Sequence, residues 1–432
     1  MGRLEICQSY RRTIRLVGET ESVLTAMEKR TEITKRIALN CFYLAVITEV
    51  LIVIIDKSAL INPIEGRLFQ LTFLLCFVKV CLTGYSLREY LVLVLFLGLG
   101  SVSYFATGRN EILRIVMLIA ACKDVDVKKC LKLIFCLTLA GCIVIMLLSL
   151  LGIGGGAVVI QDYGHGSVES RYTFGMGHPN ALQCMVLALS MLGMYLYYDR
   201  MKWYHYLSVL ALNLVFFRFT QSKTAILIIM YAMVGFAVAT FIKNRPLRVL
   251  FSIGNILASI FSVVISVLAA KDAMYMWDYY TKGIFTLKAY YYSQLDKILT
   301  GRIASLIETV NHEGTIQTWS LFSRPENNYF FDMGWVRLFY WYGVIPAGIM
   351  VAVLWIFLLY CLVKNRVAEI VLISAISLYT VMEAHFVSEY IARNYVLFLL
   401  GMYWMQGETG KISYSVLQYI EDFFKRNRRD TD

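Results

Sequence analysis

The sequence predicts an all-α, polytopic integral membrane protein with about twelve transmembrane helices and two long extracytoplasmic loops. Hydrophobic residues make up 59% of the 432-residue chain and charged residues only 16%, whereas soluble domains carry about 25% charged residues. Apolar runs of helix length recur from Ile37 to Gln406, and about 20 consecutive apolar residues cross a bilayer as a helix. Most of the chain is therefore expected to lie within a membrane.

The polar segments divide the chain into three parts. Residues 1–36 are predicted to form a cytoplasmic N-terminal segment, residues 37–406 the transmembrane bundle, and residues 407–432 a cytoplasmic basic tail. Lys and Arg concentrate in alternate connections, as the positive-inside rule expects of the cytoplasmic side. Both termini are then cytoplasmic, in agreement with an even number of spans. The predicted spans are 37–55, 68–84, 90–107, 111–122, 131–152, 179–198, 203–219, 224–242, 249–270, 336–362, 368–386 and 391–406.

Two connections on the predicted outer side are long, at residues 153–178 and 271–335. Long loops within a compact domain usually have a function of their own. The second contains the segment LDKILTGRIASLIETV, whose apolar residues recur at helical spacing. We predict an amphipathic helix there, which packs on the bundle or lies in the lipid headgroups. Its apolar face consists of Ile298, Leu299, Ile303, Leu306, Ile307 and Val310.

The segment RYTFGMGHPNAL, at residues 171–182, joins the first long loop to an apolar run. A glycine-rich loop with Arg and His at this position indicates the rim of a site that faces the bilayer surface. The alternative interpretation is structural, because Pro and Asn can begin a helix and Gly permits a tight turn. Both interpretations place Arg171 and His178 immediately before the sixth span.

Basic side chains accumulate at the predicted outer ends of the spans, against the positive-inside bias. Such a cluster is unfavourable unless it binds an anion or pairs with acids. Arg suits phosphate because its planar guanidinium donates two parallel hydrogen bonds. A lipid-linked phosphate or pyrophosphate is the predicted ligand, although an ion pair or contact with the membrane surface also explains any single Arg. The predicted ligand-binding residues are Arg171, His178, Arg218, Lys223, Arg302, Arg337 and Arg393.

A reaction at an acceptor hydroxyl needs a general base nearby. The candidates are Asp332, at the end of the second long loop, and His312 within that loop. Each is also compatible with an ordinary solvated loop residue.

Apart from the base, ionisable residues within membranes are usually functional, which makes Glu49, Lys79, Glu383, His385 and Glu389 candidates for some role. A side chain that reaches the membrane surface explains Lys79 equally well. We expect Glu383 and His385 to pair with Arg393 or Arg337.

No metal site, cofactor site or nucleic-acid motif is predicted. The His, Cys, Asp and Glu residues show no metal-ligand spacing, and no Walker A, Rossmann or kinase motif occurs. The net charge of +11 indicates cytoplasmic loops that face anionic membrane lipid. The ten cysteines lie in apolar runs or in predicted inside segments, so we expect no disulfide.

Four stretches of the chain resemble the Wzy-type polysaccharide polymerases, which include O-antigen, capsular and exopolysaccharide polymerases. They are RYTFGMGHPNAL, TQSKTAILIIM, LTGRIASL and DMGWVRLFYWYGVIPAGI. The first two are also similar to motifs of the O-antigen ligases, whereas the third and fourth favour a polymerase. Arg171 and Arg302 match motif arginines of the family, and His178 and Asn180 match its loop–helix motif. Lys223 stands where the family commonly has Arg, and Lys lacks the bidentate fork.

The resemblance implies an inverting, metal-independent glycosyltransferase of the bacterial cytoplasmic membrane. Such an enzyme joins undecaprenyl-pyrophosphate-linked oligosaccharide repeats on the outer face, beside a chain-length regulator and a flippase of the same pathway. Three alternatives stay open: a ligase that moves finished glycan to another acceptor, a transporter or flippase of lipid-linked sugars, and a structural or sensor membrane protein. The sequence shows no internal repeat and few midplane charges, which counts against a transporter.

Overall fold

A computed structural model describes residues 2–162, 168–309 and 311–404, with side chains described for 30–160, 170–309 and 311–403. The predicted tail 407–432 and Val310 lie outside the described residues. The helices are α1 (Gly2–Lys57), α2 (Glu65–Leu82), α3 (Leu87–Thr107), α4 (Glu111–Ala121), α5 (Val127–Leu150), α6 (Pro179–Tyr197), α7 (Trp203–Thr220), α8 (Lys223–Phe241), α9 (Arg245–Lys282), α10 (Leu287–Ile298), α11 (Gly334–Tyr342), α12 (Val344–Val363), α13 (Val367–Tyr379) and α14 (Tyr395–Trp404). One antiparallel hairpin, β1 (Val158–Asp162) and β2 (Val168–Tyr172), precedes α6. Short 3-10 turns occur at Tyr198–Arg200, Ala304–Leu306, Ile316–Thr318 and Ile391–Arg393.

Seven helical segments of the described residues are long and apolar enough to cross a membrane. This number is compatible with the predicted multi-pass membrane protein. α1 continues without a break through the predicted N-terminal segment and the first predicted span. The seven segments are Arg30–Lys57, Leu87–Thr107, Val127–Leu150, Pro179–Arg200, Lys223–Phe241, Arg245–Lys282 and Val344–Val363.

α13 lies at the centre of the helical assembly. All of its residues except Leu378 are buried, and it packs against α6, α8, α9 and α12. Residues 380–394 therefore leave α13 in the middle of one end of the assembly, where Asn180 and Arg302 contact them. We call this end, which also carries β1 and β2, the hairpin end. The opposite end is the basic end, with exposed Lys128, Lys202, Lys243 and Lys364.

The prediction of an amphipathic helix over residues 295–310 is wrong, because α10 ends at Ile298. Thr300 and Gly301 follow with φ angles of 55° and 81°, and left-handed residues cannot continue a right-handed helix. The carboxylate of Asp296 then accepts two backbone N–H groups of the next turn, at 2.7 and 3.0 Å. The apolar residues of the predicted face are mostly buried nevertheless: Leu299, Ile303, Leu306 and Ile307.

Two predicted spans are shorter or broken in the structure. The span predicted over 336–362 consists of α11 and α12, which meet at Gly343 with a φ of 92°. A Cβ on Gly343 would lie 2.6 Å from the Cα of Phe322, so the close approach of that segment requires Gly and interrupts the helix. The span predicted over 368–386 ends as a helix at Tyr379.

The first long loop contains a hairpin that the sequence did not predict, and the second is shorter than predicted. In the first, Val159 of β1 pairs with Arg171 of β2. The second begins at residue 283 instead of 271, because α9 continues to Lys282. We refer to residues 283–333 as the long segment.

Candidate functional site

Three acceptors surround the guanidinium group of Arg302. Its Nε donates to the carbonyl oxygen of Met382 at 3.1 Å, and its Nη2 donates to Oε1 of Glu383 at 3.0 Å. Its Nη1 lies 3.3 Å from Oδ2 of Asp332. Oε1 of Glu383 also accepts the side-chain N–H of Asn180 at 3.3 Å. We call Asn180, Arg302, Asp332 and Glu383 the Arg302 cluster.

The local backbone explains why Arg302 reaches this position. The left-handed Thr300 and Gly301 reverse the chain after α10, and Asp296 holds the next turn through its backbone N–H groups. Ile303, the next residue, is fully buried. The apolar neighbour anchors the turn in the core, and the arginine is directed to the segment that follows α13.

Glu383 is more enclosed than the other carboxylate of the Arg302 cluster. Its side chain is 14% exposed, whereas that of Asp332 is 54% exposed. Burial raises the pKa of Glu383 to about 7; Asp332 raises it further and Arg302 opposes the change. A carboxylate with a pKa near the ambient pH is suited to general-base chemistry.

His178 is the N-cap of α6. Its Nδ1 accepts the backbone N–H of Asn180 at 3.1 Å, and Pro179 occupies the first helical turn, as the structural interpretation of this motif expects. Because Nδ1 is an acceptor, Nε2 carries the hydrogen of the neutral ring and is a donor. Desolvation lowers the pKa of His178; Asp332 opposes this, and the charge of Arg171 adds to it. The ring is therefore neutral at physiological pH.

The loop before α6 passes close to α1 and α5. A Cβ on Gly175, whose φ is 80°, would lie 2.8 Å from the Cβ of Ser149, so this position requires Gly. The backbone N–H of Gly177 donates to the carbonyl of Lys57 at 3.0 Å. This packing places the last residue of α1 near the Arg302 cluster, where the charge of Lys57 lowers the pKa of Glu383.

The turn between α7 and α8 lies beside the start of α6. Thr220 donates to Oε1 of Gln183 at 2.9 Å. Arg218 and Lys223, both predicted to bind the anion, are exposed. Neither forms a hydrogen bond or an ion pair with a residue that the structure describes.

Two other arginines predicted to bind the anion are buried. Arg337 is 3% exposed and Arg393 is 5% exposed. The guanidinium of Arg337 lies 3.8 Å from the ring centroid of Phe330 and donates to the carbonyl of Phe331 at 3.0 Å. Arg393 lies 3.5 Å from a carboxylate oxygen of Asp56. Both guanidinium groups are therefore enclosed by other residues of the protein, and an anion at the membrane surface does not reach them in this structure.

His312 packs within the long segment. Its ring centroid lies 4.6 Å from that of Trp277, and its Nδ1 is 2.8 Å from the carbonyl oxygen of Ile307. No contact among the described residues joins it to the Arg302 cluster. The side chain thus fixes the long segment against α9.

The expected pairing of Glu383 and His385 with Arg337 or Arg393 is wrong. Glu383 pairs with Arg302. His385 is buried, and neither of its ring nitrogens has a hydrogen-bond partner among the described residues. Burial, with a smaller contribution from the charge of Arg393, lowers the pKa of His385, so this ring is neutral.

The central position of Glu383 was not predicted. The sequence marks it only as an ionisable residue at the end of a span, and its partner Arg302 lies 81 positions earlier in the chain. No local spacing can reveal a contact over that distance. The raised pKa is likewise a property of the folded surroundings.

Among the described residues, no group of three or more His, Cys, Asp or Glu side chains could hold a metal ion. In comparisons with known proteins, no family model, no curated protein and no solved structure matches this chain.

Proposed function

We propose that the protein is a polysaccharide polymerase of the Wzy type, an integral-membrane glycosyltransferase. It joins undecaprenyl-pyrophosphate-linked oligosaccharide repeats at the hairpin end, which faces outward from a bacterial cytoplasmic membrane. One observation carries the proposal: the four stretches that resemble the family lie far apart in the sequence and come together at this end.

Arg302 contacts Asp332 directly, whereas Asn180 is joined to Arg302 through Glu383, which accepts a hydrogen bond from each. Asn180 belongs to the first stretch, Arg302 to the third and Asp332 to the fourth, and all three meet in the Arg302 cluster. The second stretch begins at Thr220, which hydrogen-bonds to Gln183, the residue after the first stretch. Helix packing alone would not require polar residues of three separate stretches to gather around Arg302 and Glu383, whereas a shared site explains why they do.

The positive charge of the site suits the leaving group. As the bond between the anomeric carbon and the phosphate oxygen breaks, negative charge grows on the lipid pyrophosphate. The charges of Arg171, Arg302 and Lys57 all act on His178, and His178 supplies a neutral Nε2–H donor. Preorganised donors of this kind are often the largest single contribution to catalysis.

Glu383 is the proposed general base, in preference to the predicted Asp332 and His312. Its pKa is about 7, and Arg302 and Asn180 hold its carboxylate in place. Glu383 takes the proton of the acceptor hydroxyl while that oxygen bonds to the anomeric carbon with inversion. The lipid pyrophosphate leaves with the electron pair of the broken C–O bond.

Asp332 is the proposed counter-ion that the pyrophosphate displaces. It is the exposed partner of Arg302, 3.3 Å from Nη1. The other two guanidinium nitrogens stay engaged with Met382 and Glu383. Arg302 can therefore accept an anion on one edge without losing its hold on the base.

The proposed topology has twelve spans and both termini in the cytoplasm. The positive-inside rule assigns the basic end to the cytoplasm, because the exposed Lys128, Lys202, Lys243 and Lys364 lie there. The hairpin end then faces the compartment into which a flippase delivers lipid-linked repeats and in which a chain-length regulator acts.

Glycan length in a strain that lacks the gene tests the proposal. The strain is complemented with wild type, with Arg302→Ala or with Arg324→Ala, and the membrane abundance of each protein is measured. Arg324 is an exposed arginine of the same long segment and serves as the matched control. We expect long chains from wild type and Arg324→Ala, and single repeats from the deletion strain and Arg302→Ala.

Two results from the deletion strain would overturn the proposal. Accumulation of full-length lipid-linked polymer would indicate a ligase, and repeats held on the cytoplasmic side would indicate a flippase. Long chains from Arg302→Ala would be consistent with a polymerase but would show that the Arg302 cluster is not its active site.

A further inference from the structure

A long apolar groove runs between α5, α6 and α7. α6 packs against both neighbours and forms the floor, while α5 and α7 form the walls. The groove has a volume of about 780 Å³, within the range of small-molecule sites in proteins. It is separate from the Arg302 cluster, none of whose residues lines it.

The groove has the length and chemistry of a lipid-chain site. Its floor extends along α6 from Leu182 to Tyr197, roughly 22 Å at the helical rise of 1.5 Å per residue. This length is about three quarters of the hydrocarbon thickness of a bilayer. Toward the hairpin end the lining is apolar, with Met146 and Phe216 beside Leu182.

Ser190 lies midway along the floor, and the basic side chains enter the lining only toward the basic end. Arg200 and His205 line the groove there, and the ammonium group of Lys132 lies 5.8 Å from the ring centroid of Tyr197. Arg200 is exposed and forms no hydrogen bond or ion pair with any described residue. The groove therefore joins an apolar channel to a positive charge that has no ion-pair partner among the described residues.

Exposed aromatic side chains indicate the depth of this charged mouth. Tyr197, Trp203 and Tyr204 are all exposed near it. Tyr and Trp concentrate at the level of the lipid headgroups. Arg200 thus lies where the headgroup of a lipid would lie if its chains followed the groove.

We propose that this groove binds an anionic phospholipid, with its acyl chains along α6 and its phosphate at Arg200. The position of Arg200 favours a phospholipid over a lipid-linked sugar. A lipid whose charged group lay at the Arg302 cluster, at the opposite end, would leave Arg200 without an anion. The proposal does not rest on the proposed polymerase activity. It predicts that the purified protein binds anionic phospholipids more tightly than zwitterionic ones.

Native mass spectrometry of the detergent-purified protein tests the lipid site. The ligands are phosphatidylglycerol and phosphatidylcholine with the same acyl chains, added to wild type, Arg200→Ala, Leu189→Trp and Arg245→Ala. Leu189 lines the groove, so Trp at this position obstructs it. Arg245 is an exposed arginine at the basic end that does not line the groove and is the matched control.

We expect wild type and Arg245→Ala to prefer phosphatidylglycerol. Arg200→Ala should weaken phosphatidylglycerol binding about fivefold, the contribution of one basic residue near an anionic surface. Leu189→Trp should weaken the binding of both lipids. Thermal melting identifies any misfolded variant, and Arg200→Gln replaces Arg200→Ala if the latter unfolds.

Three results would overturn the proposal. The first is equal binding of both lipids by wild type, and the second is an equal loss in Arg200→Ala and Arg245→Ala. The third is displacement of phosphatidylglycerol by a polyprenyl phosphate whose binding needs Leu189 but not Arg200. That result would assign the groove to the chain of a lipid-linked sugar.

Discussion

Two arginines near the hairpin end contact carboxylates in different ways. The side chain of Arg114 is 3% exposed, and its Nη2 lies 2.8 and 3.1 Å from the two carboxylate oxygens of Glu49. Its guanidinium also lies 3.6 Å from the ring centroid of Phe69. Arg302 is 20% exposed and shares its charge between Glu383 and the exposed Asp332.

The two arginines differ in whether a ligand can reach them: Arg114 forms a structural ion pair, whereas Arg302 belongs to a candidate site. Glu49 also accepts the hydroxyl of Thr72 at 2.6 Å, so the closed pair joins α1, α2 and α4 and leaves no edge for a ligand. Arg302 has one partner that solvent or an anion can replace. A charge inside a membrane protein is thus a functional indication only where a ligand can reach it.

Replacement of the proposed base should have the largest effect. Glu383→Gln keeps the shape of the side chain and its contact with Arg302 but removes the group that accepts a proton. We expect the polymerisation rate in proteoliposomes supplied with lipid-linked repeats to fall about 10²- to 10⁴-fold. The melting temperature should change little, because no cavity forms.

Glu326→Gln is the control for this variant, since Glu326 is an exposed carboxylate of the long segment. Its rate should match that of wild type. A rate for Glu383→Gln within a few-fold of wild type would transfer the role of base to another group, with Asp332 as the next candidate.

Disruption of the Arg114–Glu49 ion pair should lower the stability of the protein but leave its reaction rate unchanged. Glu49→Ala leaves the charge of Arg114 buried without its carboxylate, and breaking a buried pair typically destabilises a protein by about 3–5 kcal/mol. We expect a large drop in melting temperature in detergent but a normal rate per folded molecule. Unchanged stability would show that the pair does not hold these helices together.

The exposed ion pair between Lys282 and Asp278, 2.8 Å apart, provides the comparison for stability. Asp278→Ala should reduce the free energy of unfolding by less than about 1 kcal/mol, because solvent already screens that pair. A similar loss in both variants would show that burial does not distinguish them.

The pH dependence of the reaction should report the surroundings of Glu383. Its pKa is raised to about 7, and a base acts when deprotonated, so kcat/KM should rise with pH and level off above about pH 7. Asp332 is one cause of the raised pKa. In Asp332→Asn the rise should therefore move to lower pH, as steady-state rates across neutral pH would measure. An unmoved or alkaline-shifted profile would contradict the assignment of Glu383.

The helices could be predicted because apolar runs in a membrane protein carry their own length signal. α6, predicted over 179–198, spans Pro179–Tyr197, and α8, predicted over 224–242, spans Lys223–Phe241. The interruptions could not be predicted, since they depend on contacts that are distant in sequence. At Gly343, which breaks the tenth predicted span, residues 321–323 pass so close that they leave no room for a Cβ.

The site was predictable as a set of residues but not as an arrangement. The resemblance identified Asn180 and Arg302, and the position of Asp332 at the end of the second long loop identified it separately; the fold brings all three together with Glu383. Nothing in the local pattern around Arg337 distinguishes it from Arg302, yet aromatic rings and a backbone carbonyl enclose it. An anion can reach Arg302 but not Arg337, and this difference arises from tertiary packing, which the local sequence does not show.

The smallest effect is expected at the turn between α7 and α8. Arg218 and Lys223 are exposed there and contact no polar group of the described residues, and substitutions at such positions usually change free energies by no more than about 0.5 kcal/mol. Arg218→Ala and Lys223→Ala should therefore alter the polymerisation rate by about twofold or less, with Arg302→Ala measured beside them. A loss comparable to that of Arg302→Ala would extend the site across this turn, as the basic pattern of the sequence predicts. The bound pyrophosphate would then reach beyond the Arg302 cluster to the first residue of α8.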